Sequence, residues 1–223
     1  MNIAFNANHV LFLLQAAGWT LVLSLIAFVG GGLLGFIVAL SRISPVRALR
    51  WLSTGYVQLV QGTPLLILMF LAYFGLSIVG LSLPALVAAG ISMTIYVSAY
   101  IGEIWRGCIQ AVPRTQWEAA ECLALSRVQR MGLVVLPQAL RIATPPTVGF
   151  MVQIVKNTSL ASVVGFVELA RAGQVVNNSL FRPFLIYMLV AGLYFLLCFP
   201  LSWWSRRLER RLLVAHRVEV AAA

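Results

Sequence analysis

Hydrophobic residues do not alternate with polar ones along this chain; they run on. Four stretches contain no Asp, Glu, Lys or Arg: residues 10–40, 51–102, 183–205 and the shorter 142–155. A bilayer core about 30 Å thick takes roughly 20 apolar residues of helix to cross. The second stretch is too long for one crossing and divides at GLSIVGLSLPAL, where Gly80, Ser82 and Pro84 supply turn chemistry. The fourth reaches Val167 once Lys156 is admitted inside it. The pattern therefore predicts five membrane-spanning helices, near 17–40, 55–79, 84–104, 144–167 and 184–205. No ten-residue segments alternate in the manner of a membrane β-barrel. The expected fold is an all-α integral membrane protein forming one domain over 1–223, with its core at about 17–211 and a tail at 206–223.

Composition agrees: 61% of the 223 residues are hydrophobic and 10% charged, against about 25% charged in a soluble domain. The distribution of charge then gives orientation. Arg42, Arg47 and Arg50 follow the first span. Arg106, Arg114, Arg127, Arg130 and Arg141 lie between the third and fourth. Arg206, Arg207, Arg210, Arg211 and Arg217 follow the fifth. These three segments share one side of a five-span bundle, and only Arg171 and Arg182 fall on the other. The positive-inside rule counts Lys and Arg, so the N-terminus is expected in the periplasm and the C-terminus in the cytoplasm. The net charge of +10 is thus a topology signal. The cations are dispersed over three segments, which argues against nucleic-acid binding.

Little else in the chain suggests chemistry. Cys108, Cys122 and Cys198 form no CxxC motif, and reduced thiols are expected. His9 and His216 have no metal-ligand neighbours and read as surface residues. No nucleophile–base pair, phosphate loop or low-complexity segment is present, so the chain reads as no enzyme, without a metal or cofactor of its own. MNIAFNANHV lacks the basic start of a cleaved signal peptide and reads as a short outer helix or an uncleaved first span.

The polar segment between spans three and four is the exception to the apolar rule. Its central part, about 114–137, has helical spacing. Thr115 with Glu118 has the form of a capping box. Trp117, Ala120, Ala124, Val128 and Met131 lie on one stripe, and Glu118, Glu121, Arg127 and Arg130 lie off it. A single continuous helix over 118–130 is expected. Pro137 should push Leu136 out of helical geometry and turn the chain into span four. Such a helix could lie on lipid headgroups or present its polar face to a soluble partner. Its mixed charges favour the partner, because a lipid binder would be Lys/Arg-rich on its polar face.

Glu118-Ala119-Ala120, Ala124 and Leu136-Pro137 resemble the EAA loop of permease subunits in bacterial ABC importers. Three further stretches resemble the polar amino-acid uptake group of that family: QGTPLLILMFLAYFGL (61–76), SAYIGEIWRGCIQAVPRTQWEAA (98–120) and VKNTSLASVVGFVEL (155–169). The resemblance covers about 17–211. It implies an inner-membrane, multi-pass transport subunit that pairs with a second permease, identical or related, to form the translocation pathway. It further implies two cytoplasmic ATPases that hold ATP and Mg, an external substrate-binding protein, and an amino-acid substrate. The EAA segment would be the coupling helix. Glu118 would cap or pair in the ATPase groove, with Glu121 alongside it. Ala119 and Ala120 would allow close approach, and Leu136-Pro137 would end the element. Ala124 departs from the family, which usually has Gly there; Gln61 and Cys108 are departures of less weight.

Within the spans Lys156 is the only Lys of the chain, and a charge at membrane depth normally faces a bundle interior or water. Gln153, Lys156, Asn157, Thr158 and Ser159 form the candidate substrate pathway, with a structural contact for Lys156 as the alternative. Gln61 and Thr63, beside Gly62 and Pro64, interrupt span two as either a packing kink or a gate. Glu103 and Arg106 are spaced for an i,i+3 ion pair. The glycines at 30, 31, 32 and 35 permit close helix crossing, within the chain or at a dimer seam. With only positive charge placed inside the spans, neutral polar or acidic amino acids are the expected cargo. The alternative reading, a self-sufficient secondary carrier or channel, would need intramembrane acids to handle coupling ions. The chain has no Asp, and its Glu residues fall at or beyond the expected span ends.

Overall fold

A computed structural model describes residues 5–221 of the chain, without the side chains of Arg211 or of residues 213–221, so His216 and Arg217 lie outside what is described. Among the described residues there is helix and no strand. We number eight helices: α1 (Ala7–Ile43), α2 (Arg47–Gln61), α3 (Leu65–Ile78), α4 (Ala85–Gln110), α5 (Arg114–Cys122), α6 (Arg127–Val164), α7 (Leu169–Leu180) and α8 (Pro183–Ala221). Two contain a wider π turn, α3 at Leu71–Gly75 and α6 at Arg130–Val135, and α6 finishes in a 3₁₀ stretch at Thr158–Val164.

α1, α4 and α8 are each long and apolar enough to cross a membrane; the bent pairs α2–α3 and α6–α7 raise the number to five if each counts as one crossing. Both bent pairs depart from the expected continuous spans. At 62–64 the chain turns by 99°, because Gly62 and Pro64 end one helix and start the next. Span four is longer than expected and bends by 52° between α6 and α7. α1 begins ten residues before the expected span. Its start is fixed by a capping box in which Asn6 and His9 exchange hydrogen bonds at 3.2 and 3.3 Å.

The central seam is α1 against α4. A Cβ on Gly31 would sit 2.3 Å from Val97, and one on Gly102 would sit 2.8 Å from Val38. Small residues on both helices let the backbones meet, which is how helices pack when lipid is as apolar as leucine. Gly31 and Gly35 thus serve packing inside the chain, while Gly32 faces open space. Around this seam Leu23, Met69, Met93, Val97, Ile101, Ile154 and Val164 form the main core.

Two smaller cores mark the two ends of the bundle. At one, Ile109, Val112, Val135 and Ala139 pack with Ile43, Trp117, Met131 and Leu136. The end of α1 is tied in there by an ion pair from Arg42 to Glu103, and α8 is tied to α6 by a hydrogen bond from Ser205 to the Pro145 carbonyl at 2.9 Å. This is the arginine-rich end. At the opposite end Leu13, Ala16, Leu169, Ala172, Val176, Leu180 and Ile186 pack together, close to Arg171 and Arg182. The outward faces of α1, α2 and α8 carry exposed Leu25, Leu33, Ile37, Leu52, Leu59, Phe195 and Leu196.

Candidate functional site

The segment expected as one helix over 118–130 is a helix–turn–helix. α5 starts at Arg114 directly after Pro113, whose φ of −53° and ψ of 138° set up the first turn with no side-chain cap. Thr115 therefore lies inside the first turn, and the Thr115–Glu118 box does not form. The box is found instead at Ser126–Gln129: the Gln129 N–H donates to Ser126 Oγ at 3.3 Å, and the Ser126 N–H donates to Gln129 Oε1 at 2.9 Å. Between the two helices Ala124 has a φ of 55°. The Ala124 N–H donates to the Glu121 carbonyl at 2.9 Å and the Leu125 N–H to the Ala120 carbonyl at 3.2 Å. This is a Schellman ending, with Ala in the left-handed place that glycine normally fills. The predicted apolar stripe splits accordingly. Ala120 is buried and Trp117 half-buried, whereas Val128 is 82% exposed.

The elbow is braced from both sides. Arg130 Nη1 lies 3.0 Å from Glu121 Oε2, and Gln138 Nε2 donates to Gln116 Oε1 at 3.4 Å. Beneath it Trp117 meets Met131, Val135 and Leu136. Leu136 does not leave helical geometry (φ −59°, ψ −43°), so Pro137 ends nothing. The Leu136 N–H reaches back five residues to the Met131 carbonyl. This wider π turn makes room for a ring that would clash in a regular α turn. Glu118 and Ala119 are exposed, and Ala120 faces inward. Glu121 is engaged with Arg130, which leaves Glu118 as the carboxylate on the outer face of α5.

Glu103 sits between two guanidinium groups: Arg106 Nε donates to Oε2 at 3.0 Å, and Arg42 Nη2 lies 3.2 Å from the same atom. Trp105 Nε1 donates to Thr147 Oγ1 at 2.9 Å and fixes α4 to α6.

The candidate pathway residues divide among several surfaces. Gln153 Nε2 donates to Asn157 Oδ1 at 3.1 Å. An aromatic column joins α4 to α6: the Tyr96 and Tyr100 rings are 4.5 Å apart and Tyr100 stacks on Phe150 at 5.5 Å. Lys156 is exposed in the last regular turn of α6. Thr158 is fully buried and donates to the Val155 carbonyl at 2.8 Å, while Ser159 donates to the Lys156 carbonyl. Gln61 is exposed at the α2–α3 break and Thr63 donates to the Leu59 carbonyl at 2.8 Å; neither bonds to the 153–159 group.

Two features escaped the sequence reading. The first is the Tyr96–Tyr100 column, whose four-residue spacing places both rings on one face of α4. The second is Glu168, which caps α7 and has no exposed surface. An acid standing just before a helix start in an apolar run was its signal. Glu168 bonds to Tyr194 of α8, and the N–H of the following Leu169 bonds to Thr20 of α1, so this enclosed acid joins three helices.

Comparison with known proteins gives consistent results. Residues 31–214 match a family model described as "Binding-protein-dependent transport system inner membrane component". A probable glutamine ABC transporter permease protein of Bacillus subtilis (strain 168) is 37% identical over 95% of this chain and 98% of its own length. A probable amino-acid ABC transporter permease protein of the same organism is 32% identical over 90% and 88%. Among solved structures, one described as an amino acid ABC transporter with histidines superimposes with a TM-score of 0.87 and 30% identity, over 95% of this chain and 100% of that one.

Proposed function

Because this chain belongs to the family of binding-protein-dependent transport system inner membrane components and is a membrane-spanning permease subunit of an ABC importer, we propose that it carries polar amino acids into the cell. It does so with a second permease, two ATPases docked at the α5 elbow and an external binding protein. The arginine-rich end is the cytoplasmic end, by the positive-inside rule, and the chain resides in the bacterial inner membrane. ATP and Mg are held by the ATPases, because this chain has no phosphate loop.

The observation that carries this reading is the elbow. It is a polar surface on an apolar protein, and its outer face presents Glu118, Ala119 and Leu123 as a small projection of mixed character. The inner face of the same elbow packs on the first turns of α6. A force on α5 is therefore transmitted through Trp117, Met131 and Val135 into the helix that carries Gln153 and Asn157. Pro137 is not the transmitter, since α6 runs through it. The pathway lies along Tyr96, Tyr100, Gln153 and Asn157, where α4 and α6 meet.

In reconstituted importer, Glu118→Lys should abolish most uptake and weaken retention of the ATPase while leaving the spans folded. Unchanged uptake and unchanged ATPase retention would overturn the assignment of the elbow. A carrier that works alone would purify without a nucleotide-binding subunit and respond to an ion gradient.

A further inference from the structure

Glu168 is an ionisable group that the proposed coupling path does not use, and it is wholly enclosed. Its carboxylate accepts the Ala170 and Arg171 N–H groups at 2.9 Å each and the Tyr194 hydroxyl at 2.6 Å. The Leu169 N–H donates to Thr20 Oγ1 at 3.2 Å. The first three amides of α7 are thus all engaged, two by its own cap and one by α1. Among the described residues no cation forms an ion pair with Glu168. Hydrogen bonds at the N-terminal end of α7 satisfy the carboxyl group instead.

Between this clasp and the regular part of α6 lies a different kind of backbone. Residues Thr158–Val164 are 3₁₀, and Gly165 has a φ of 86° with open space where a Cβ would stand. A 3₁₀ run of 7 residues is longer than the usual three or four, and its poorer hydrogen-bond geometry makes it easier to deform than the regular helix before it.

We infer that Glu168 is a positioning residue for transport: with Tyr194 and Thr20 it pins α7 to α8 and α1, so that displacement of α6 is taken up at 158–165 beside the Gln153–Asn157 pair. The inference rests on the reading that a partner ATPase moves the other end of α6. Tyr194→Phe keeps the cap of α7 and removes only the clasp to α8; Glu168→Gln weakens both.

The complete importer in phospholipid vesicles is assayed with labelled glutamine, glutamate, histidine and arginine, and the one that the unsubstituted importer accumulates fastest is used throughout. Uptake and ATP hydrolysis are measured together. Tyr194→Phe should retain its ATPase at unchanged stoichiometry, keep the KM for uptake within about two-fold, and lower the amino acid moved per ATP about ten-fold. The Glu168→Gln, Tyr194→Phe double variant should be no worse than the more severe single one. Unchanged uptake per ATP in Tyr194→Phe would overturn the inference. So would a raised KM at constant maximal rate, which would assign the carboxylate to cargo instead. If the unsubstituted chain retains no ATPase, the coupling reading fails first, and this inference with it.

Discussion

The two ends of α6 are held in opposite ways. At its start the ties are an aliphatic cluster capped by the half-buried Trp117 and an ion pair whose Glu121 carboxylate is 69% exposed. At its finish, through the 3₁₀ stretch, the tie is a carboxylate with no exposed surface and three donors. Water can take the place of Arg130 at the exposed Glu121 carboxylate at little cost, although Arg130 itself is only 16% exposed. A buried carboxylate has no such substitute, because each stranded donor would lose a bond with nothing to take its place. One end of α6 is therefore built for exchange of contacts and the other for permanence, the division expected of a lever.

Substitutions can break that contrast. Glu168→Ala should have the largest effect. It strands the Ala170 and Arg171 amides and the Tyr194 hydroxyl at about 1–3 kcal/mol each, and the purified protein should lose several degrees of Tm or fail to accumulate in the membrane. Ala124→Gly should have a smaller effect of opposite sign. The left-handed conformation costs a non-glycine residue about 1–2 kcal/mol, partly offset by the extra chain entropy of glycine. A gain of about 0.5–1 kcal/mol is expected, read as a raised Tm; a lowered Tm would mean that the Ala124 methyl group makes a favourable contact. The smallest effect belongs to Glu121→Gln, below about 1 kcal/mol and vanishing in high salt. If it instead rivalled Glu168→Ala, the distinction between the two ends would not hold.

Residue patterns made some of this legible. Long uncharged runs located α1, α4 and α8, because nothing but membrane burial calls for them, and the 103/106 spacing located the contacts of Glu103. What the runs could not show was where backbone geometry departs from a regular helix. Ala124 is an ordinary helix former, and its left-handed turn follows from Ser126 and Gln129 capping the next helix and from the burial gained when Trp117 folds back on Met131. Pro137 looked like a stop because a π turn leaves no mark in composition. In the candidate pathway, the pairing of Gln153 with Asn157 follows from helical spacing, but the stacking of Tyr100 on Phe150 needs the packing of α6 on α4.

The right angle at 62–64 has a consequence for the solvent around the protein. α2, with 15 residues, extends about 22 Å at 1.5 Å per residue, short of a hydrocarbon layer about 30 Å deep. Gly62 and Pro64 at the corner are exposed, and irregular backbone is tolerated at that depth only against protein or water. At membrane depth the free carbonyls of such a corner call for protein or water against them, and Gln61 stands exposed beside it.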